Sequence, residues 1–352
     1  MFRIALALFL LLAVTGCARP HYGLTTCPET CAPATAGEET VHSLRYRVRT
    51  DAGRPAAHEI DRFMERAAVL WTPLLGVPDP LSLPLEVHLH CDPADLVRVL
   101  TSQKLTAHAT GLYLPSPIPA IHVACSGSEP GHPYRTLLHE GTHQFIHLGA
   151  GYREPGRPAT TPPRLTLPLW LNEGLASYYE AAFITPDLLQ SGRADPARLN
   201  ELQTALRRNK VPTLATILAR RDGEPFTSLD YAIAWGMVYA LMQEAPPPWA
   251  TGGREWLKAL VDEARRGWPS FPPPTPSVRD DLLWRSTVTD RTRTAFETFV
   301  ADRGLSMPAW EVQWREWILA HPYPACFNSA KRPCVTQSNR PLPFGNGLCV
   351  AE

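Results

Sequence analysis

The order of the residue patterns along the chain is the feature that most restricts its fold. Strand patterns lie in the first part of the chain, with alternating or apolar runs at 85–91, 110–116 and 120–126. One helical segment precedes these runs and another lies between the first two, and from Gly131 onward the periodic segments are helical. Because the strands precede most of the helices instead of alternating with them, we predict an α+β fold. A small N-terminal sheet is followed by a mainly helical half.

Helical periodicity, Pro near a start and Gly near an end define the expected helices. The segments are 58–76, 93–103, 133–149, 169–183, 196–209, 230–244, 254–266, 291–303 and 308–320. The chain contains 37 Pro residues among 352, so the helices should be short and the loops between them stiff.

Charge excludes one class of function. The 34 Lys and Arg residues balance 34 Asp and Glu residues, so the formal net charge is zero. A nucleic-acid partner would require a basic excess. We therefore expect no nucleic-acid binding.

The N-terminus, "MFRIALALFLLLAVTGCARP", has the features of an export signal. Arg3 precedes an apolar run that is too short for a membrane-spanning helix. "VTGC" resembles a bacterial lipobox, which implies cleavage after residue 16 and a lipid on Cys17. We expect residues 17–40 to form a flexible tether, with the protein lipid-anchored outside the cytoplasm. The alternative is an ordinary secretory signal.

Seven further cysteines should mostly form disulfides outside the cytoplasm. They are Cys27, Cys31, Cys91, Cys125, Cys326, Cys334 and Cys349. Cys91 and Cys125 each end a strand-like run, so we expect them to pair with each other. The number is odd, and the sequence does not identify the unpaired thiol.

The segment "TLLHEGTHQFIHLGAG" carries three histidines at intervals of four in a predicted helix. His139, His143 and His147 share one helix face, but a straight helix cannot bring all three to one ion. Glu140 favours the first pair, because H-E-x-x-H places a base beside two metal ligands. Gln144 takes the matching position in the second pair and cannot act as a base. We therefore predict His139 and His143 as ligands, with His147 a polar residue near the helix end.

A third ligand is expected from the next helix, "LWLNEGLASYYE". Glu173 lies among apolar neighbours, where a bound metal would offset the cost of burying its carboxylate. Glu180 lies seven residues further on the same face and competes with it, either as a ligand or as an acceptor for a histidine N–H. Asn172 and Ser177 are further candidates for orienting the ligands.

"HEGTHQF" followed by "LWLNEGLASYYE" resembles the gluzincin metallopeptidases, specifically the bacterial peptidase-MA-like group. The resemblance covers roughly residues 84–244. It implies a zincin-like catalytic half with Zn²⁺ bound by His139, His143 and Glu173. It also implies that Glu140 is the general base that takes a proton from a zinc-bound water. The long Pro-rich spacer at 150–168 departs from the thermolysin-like pattern, and the sequence does not reveal whether it covers the cleft.

The resemblance and the patterns together divide the chain into segments. They are a signal peptide (1–16), a tether (17–40), a catalytic domain (41–250, with the sheet in 41–130 and helices in 131–250), a helical region (251–325) and a Cys/Pro-rich tail (326–352). We expect a monomer acting on a peptide or protein substrate, with the N-terminal lipid as its membrane contact.

Peptide hydrolysis also needs a donor to the developing oxyanion. Tyr231, which opens the helix after the site, is the first candidate, and Tyr178 and Tyr179 are alternatives. A different function also fits the sequence, a non-catalytic zinc-containing envelope lipoprotein that binds protein or peptidoglycan. A third possibility, an Fe(II) oxygenase, lacks the expected series of barrel strands.

Overall fold

The computed structural model describes residues 38–76, 84–103, 110–115, 118–125, 133–149, 167–184, 189–266, 278–322, 335–336 and 349–350. The strands are β1 (Glu39–His42), β2 (Tyr46–Thr50), β3 (Leu85–His90), β4 (Gly111–Leu114), β5 (Ala120–Ala124), β6 (Phe183–Ile184), β7 (Leu189–Gln190), β8 (Val335–Thr336) and β9 (Cys349–Val350). The α-helices are α1 (Arg54–Leu75), α2 (Pro93–Ser102), α3 (Tyr134–Gly149), α4 (Leu169–Glu180), α5 (Pro196–Arg207), α6 (Leu214–Leu218), α7 (Ser228–Leu241), α8 (Gly253–Arg265), α9 (Val278–Ala301) and α10 (Met307–Ala320).

The predicted α+β class is confirmed. A five-stranded mixed sheet has the order β1-β2-β3-β5-β4, and helices α3 to α10 follow it in the chain. The inner pairs β2/β3 and β3/β5 are parallel, whereas β1/β2 and β4/β5 are antiparallel. Strand β4 is therefore an edge strand at the end of the sheet nearest to α3, which packs against both β4 and β5.

Side chains that alternate along β3 give the sheet two different faces. Leu85, Val87 and Leu89 are buried in the main core together with residues of α1 and α3. His88 and His90 lie on the opposite face and are only half-buried. The core continues without a break into the C-terminal helices, because the same cluster of buried side chains includes residues of α8, α9 and α10.

Several element boundaries differ from the predicted ones. The β1/β2 hairpin and α6 were not predicted, and α9 begins at Val278, not at residue 291. Helix α4 ends at Glu180, so the last three residues of the predicted segment lie beyond it. Helix α7 starts at Ser228, because Thr227 and Asp230 form a reciprocal capping box.

The ends of two helices meet at one side chain of α8. The guanidinium of Arg265 donates from Nε to the carbonyl of Gly149, at 2.9 Å, and from Nη2 to the carbonyl of Leu75. These carbonyls belong to the last residues of α3 and α1, whose final turns lack intrahelical partners. Arg265 therefore caps the C-termini of both α1 and α3.

Cys91 and Cys125 follow directly after the paired strands β3 and β5, where His90 lies beside Ala124. The amide N–H of Cys125 donates to the carbonyl of His90 at 2.6 Å. This placement agrees with the predicted Cys91–Cys125 pairing, which stays a prediction.

Several predictions concern residues that the structure does not describe. The signal peptide, Cys17, Cys27 and Cys31 lie outside the described residues, as do Cys326, Cys334 and nearly all of the tether and tail. The spacer is likewise outside them from 150 to 166. Within the described part of the chain, none of the helices has both the length and the apolarity to cross a membrane. The division into segments stays a prediction.

Candidate metal centre

Helix α3 holds the two predicted histidine ligands in place through its buried face. Leu137, Phe145 and Ile146 are fully buried in the core, which fixes the rotation of the helix about its axis. His139 and His143 are one turn apart and are brought to the same side by the 3.6-residue period. Their side chains are 14% and 12% exposed, so most of the surface of both imidazoles is covered by the protein.

Helix α4 carries Glu173 to this pair and is itself held against α7. At Gly174 the two backbones approach so closely that a Cβ atom would lie 2.7 Å from the carbonyl oxygen of Ala234. Only glycine permits this contact. Gly174 therefore allows α4 to pack closely against α7.

Three ligand atoms form a nearly equilateral triangle. The Nε2 atoms of His139 and His143 are 3.2 Å apart, and each is 3.4 Å from Oε2 of Glu173. In a tetrahedral zinc site with bonds of about 2.0–2.1 Å, neighbouring ligand atoms are separated by about 3.3 Å. The triangle therefore matches three corners of such a site, and within the described residues this group could hold a metal ion.

The carboxylate of Glu173 supports the same conclusion. Its Oε2 atom is buried and has no hydrogen-bond partner among the described residues. Burial of a carboxylate is costly, and a metal ion between this oxygen and the two imidazoles would offset that cost. The donor set, two imidazoles and one carboxylate, is also the set that leaves an open position on a catalytic zinc.

The outward-facing ring nitrogens of both histidines have side-chain partners. Nδ1 of His143 lies 3.2 Å from Oδ1 of Asn172, and Nδ1 of His139 lies 3.3 Å from Oε2 of Glu180. An acceptor on Nδ1 fixes the tautomer that leaves Nε2 available to a metal. Two of the three predicted orienting residues, Asn172 and Glu180, are therefore beside the histidines. Glu180 is not one of the three converging ligands.

Glu180 belongs to a partly buried ionic network that the sequence did not reveal. Arg135 donates from Nη2 to Oε1 of Glu180 at 2.8 Å and also to the carboxylate of Asp195. Arg198 lies 3.7 Å from Oε2 of Glu180. Asp195 in turn caps the N-terminus of α5. Burial raises the pKa of Glu180, but the hydrogen bond with His139 and the charges of the two arginines outweigh burial and lower it.

The charges in the site shift the pKa values strongly. Burial lowers the pKa of His139, but the carboxylates of Glu173, Glu180 and Glu140 outweigh burial and raise it to about 10. The pKa of His143 is raised for the same reason, mainly by Glu173. Burial raises the pKa of Glu173, yet the two histidines outweigh burial and lower it well below its usual range. The group thus concentrates negative charge where a cation would bind.

Glu140 lies next to this group and reaches the sheet. Its Oε2 atom accepts a hydrogen bond of 2.8 Å from the backbone N–H of Tyr113 on the edge strand β4. The predicted general base is therefore oriented by a backbone donor. Tyr113 carried no sequence signal for this contact, because strand–helix proximity cannot be read from local spacing.

Tyr231, the first candidate for the oxyanion donor, lies beside the site. Its ring centroid is 6.3 Å from that of His139, and the guanidinium of Arg198 lies 5.3 Å from the ring centroid. Burial raises the pKa of its phenol, and the negative charges of Glu173 and Glu140 raise it further. Tyr231 therefore keeps its proton and can donate a hydrogen bond.

The remaining candidates lie elsewhere or lack a visible role. Tyr178 and Tyr179 are buried against each other, and the charged groups that affect them are Arg254 and, for Tyr178, Glu244. Ser177 is fully buried, and its hydroxyl has no hydrogen-bond partner among the described residues. His147 lies in the last turn of α3, as predicted, and is buried there.

In searches of protein-family models and of curated proteins, nothing matches this chain. The interpretation of the site therefore depends on its own residues and their geometry.

Proposed function

We propose that this protein is a zinc metallopeptidase of the gluzincin type that hydrolyses peptide bonds. The single observation that carries the proposal is the triangle of ligand atoms from His139, His143 and Glu173, with Glu140 beside it. A structural site has no use for a base in that position, whereas hydrolysis needs one. A zinc ion held by these residues would supply Lewis acidity, which makes water more acidic and polarises a peptide carbonyl.

The protein's own residues have distinct tasks in this proposal. Glu140 takes a proton from the attacking water and gives it to the leaving amine. Tyr231 donates a hydrogen bond to the oxyanion that develops on the carbonyl oxygen. Asn172 and Glu180 hold the imidazoles in the orientation that keeps both Nε2 atoms directed at the same point.

The test is the substitution Glu140→Gln, which keeps the size of the side chain and removes the base. We expect hydrolysis of a mixed peptide library to fall about a thousandfold, because general-base catalysis contributes about 10²–10⁴ in rate. Zinc content, measured by elemental analysis, should stay at one ion per chain. The matched control is Glu297→Gln on α9, an exposed glutamate that should leave both measurements unchanged.

Two outcomes would contradict the proposal. Wild-type activity in the Glu140→Gln variant would exclude Glu140 as the base. A wild-type protein that holds zinc and cleaves no peptide would favour the alternative, a non-catalytic zinc-containing lipoprotein that binds protein or peptidoglycan. The proposed lipid anchor at Cys17 and the position outside the cytoplasm depend on the sequence alone.

A further inference from the structure

Strand β4 runs along helix α3, and successive residues of the strand meet successive turns of the helix. The hydroxyls of Thr110 and Thr136 are 3.2 Å apart. Gly111 lies so close to the helix that a Cβ atom there would overlap the side chain of Thr136 and would lie 3.6 Å from Cγ of Glu140. The edge strand is therefore in direct contact with the helix that carries the proposed base.

Tyr113 joins the strand to the helix at two points. Its backbone N–H donates to Oε2 of Glu140 at 2.8 Å, and its hydroxyl shares a hydrogen bond of 2.7 Å with Nδ1 of His147. Glu140 and His147 are seven residues apart, so Tyr113 spans about two turns, or about 10 Å, of the same helix face. His147 is 4% exposed, and its ring meets that of Tyr113 edge-on with centroids 5.7 Å apart.

These two bonds have a mechanical consequence. The N–H groups on the open side of an edge strand are not held by a neighbouring strand. Sliding of β4 along α3 would move the Tyr113 N–H relative to Glu140, and such sliding would also break the bond between Tyr113 and His147. The side-chain bond therefore determines where the backbone donor lies.

We propose that Tyr113 and His147 are positioning residues for Glu140, and this inference rests on the proposed peptidase function. His147, the third histidine of the helix, does not bind the metal. It holds the tyrosine whose backbone orients the base. Neither side chain takes part in proton transfer.

The test begins with Tyr113→Phe and His147→Leu, which each remove one partner of the side-chain bond. We expect kcat to fall about tenfold in each, because small displacements of a catalytic group cost large factors in rate. KM and zinc content should stay within about twofold of the wild-type values. His147→Asn, whose side-chain oxygen can replace Nδ1 as an acceptor, should recover most of the lost rate.

The chain provides a matched control. Tyr239 also shares a hydrogen bond with a histidine, 3.0 Å from Nε2 of His321, and the two rings are also edge-on. Tyr239→Phe therefore removes a tyrosine–histidine bond of the same kind away from Glu140, and we expect kcat to be unchanged. Equal losses in Tyr239→Phe and Tyr113→Phe would mean that the effect is one of general stability and would overturn the inference.

Combination with Glu140→Asp tests whether the effect passes through the base. If it does, Tyr113→Phe should cause little further loss in that background, since coupled residues are not additive. A full tenfold further loss would contradict the inference and leave the peptidase proposal intact.

Amide hydrogen exchange at Tyr113 gives a measurement that does not need activity. The exchange of the backbone N–H at position 113 should accelerate in both Tyr113→Phe and His147→Leu. Unchanged exchange in both would overturn the inference even in a protein that cleaves no peptide. Faster exchange in a protein without activity would support the positioning and refute the function.

Discussion

Two groups of histidines in this protein differ in ring geometry and in the direction in which their pKa values are shifted. The site histidines, His139 and His143, have rings 80° apart and Nε2 atoms that converge with Glu173. The sheet histidines, His88, His90 and His122, lie on the face of the sheet that is directed away from the main core. Both groups contain imidazoles in contact, so contact alone does not make a metal site.

The geometry of the sheet histidines is different. Nε2 of His90 and Nδ1 of His122 are 3.1 Å apart, but their ring planes differ by only 11° and the ring centroids are 5.3 Å apart. These nitrogens face each other across a hydrogen bond, with a donor on one neutral ring and an acceptor on the other. The site histidines instead direct both nitrogens towards a third point.

The neighbouring charges differ as well. Carboxylates raise the pKa values of the site histidines. Burial is the main cause that lowers the pKa of His88 to about 4 and that of His122 to about 3, and neighbouring sheet histidines contribute to both shifts. The comparison teaches that converging nitrogens and an adjacent carboxylate distinguish a metal centre from a packed cluster of neutral imidazoles.

The largest expected effect is on metal binding. Glu173→Gln replaces a ligand without changing its size, and we expect zinc affinity to fall about a thousandfold, because one ligand contributes about 4 kcal/mol of the binding free energy. The double variant His88→Asn/His122→Asn should bind one zinc with unchanged affinity. Competition with a chromophoric chelator measures the zinc affinity of both variants. Loss of zinc from the double variant would show that the sheet histidines also bind the metal.

A second prediction concerns the pH dependence of zinc binding. Because the pKa of His139 is raised to about 10, its imidazole holds a proton at neutral pH that must leave when a metal binds. For each proton that zinc displaces, zinc affinity should therefore weaken about tenfold when the pH falls by one unit, between about pH 8 and pH 6. Calorimetry in buffers of different ionisation enthalpy counts these protons. A count of zero would contradict the raised pKa.

The smallest expected effect is on stability in acid. The sheet histidines have folded pKa values below the unfolded value of about 6.5, so the unfolded chain binds protons first as the pH falls. Their contribution to stability is present above about pH 6.5 and is lost towards pH 4, by about 1.4 kcal/mol per pH unit for each extra proton on the unfolded chain. His88→Asn/His122→Asn should flatten this decline in urea unfolding at pH 7 and pH 5.

The exposed His58 on α1 provides the control for that measurement, since His58→Asn should leave the decline unchanged. A decline of the same steepness in the double variant would show that other groups cause the loss of stability in acid.

Local periodicity explains how much could be predicted. The α+β class, the pairing of His139 with His143 and the approach of Glu180 to a ligand follow from spacing along single helices. Assigning Glu173 needed a second motif and a known family. Arg135, Arg198 and Tyr113 were missed because they reach the site across the fold, and no interval in the sequence encodes such contacts. The start of α9 was missed because its first turns follow a Pro-rich run and lead into the Ser/Thr-rich stretch at 285–290, whose residue types have low helix propensity.

The cap provided by Arg265 has a practical consequence for shortening the chain. A fragment that ends before α8 would leave the final carbonyls of two helices without this cation, and one of those helices carries both site histidines. The minimal unit for metal studies or crystallisation should therefore include α8. Because buried residues of α9 and α10 belong to the same core, its C-terminal limit should lie beyond α10.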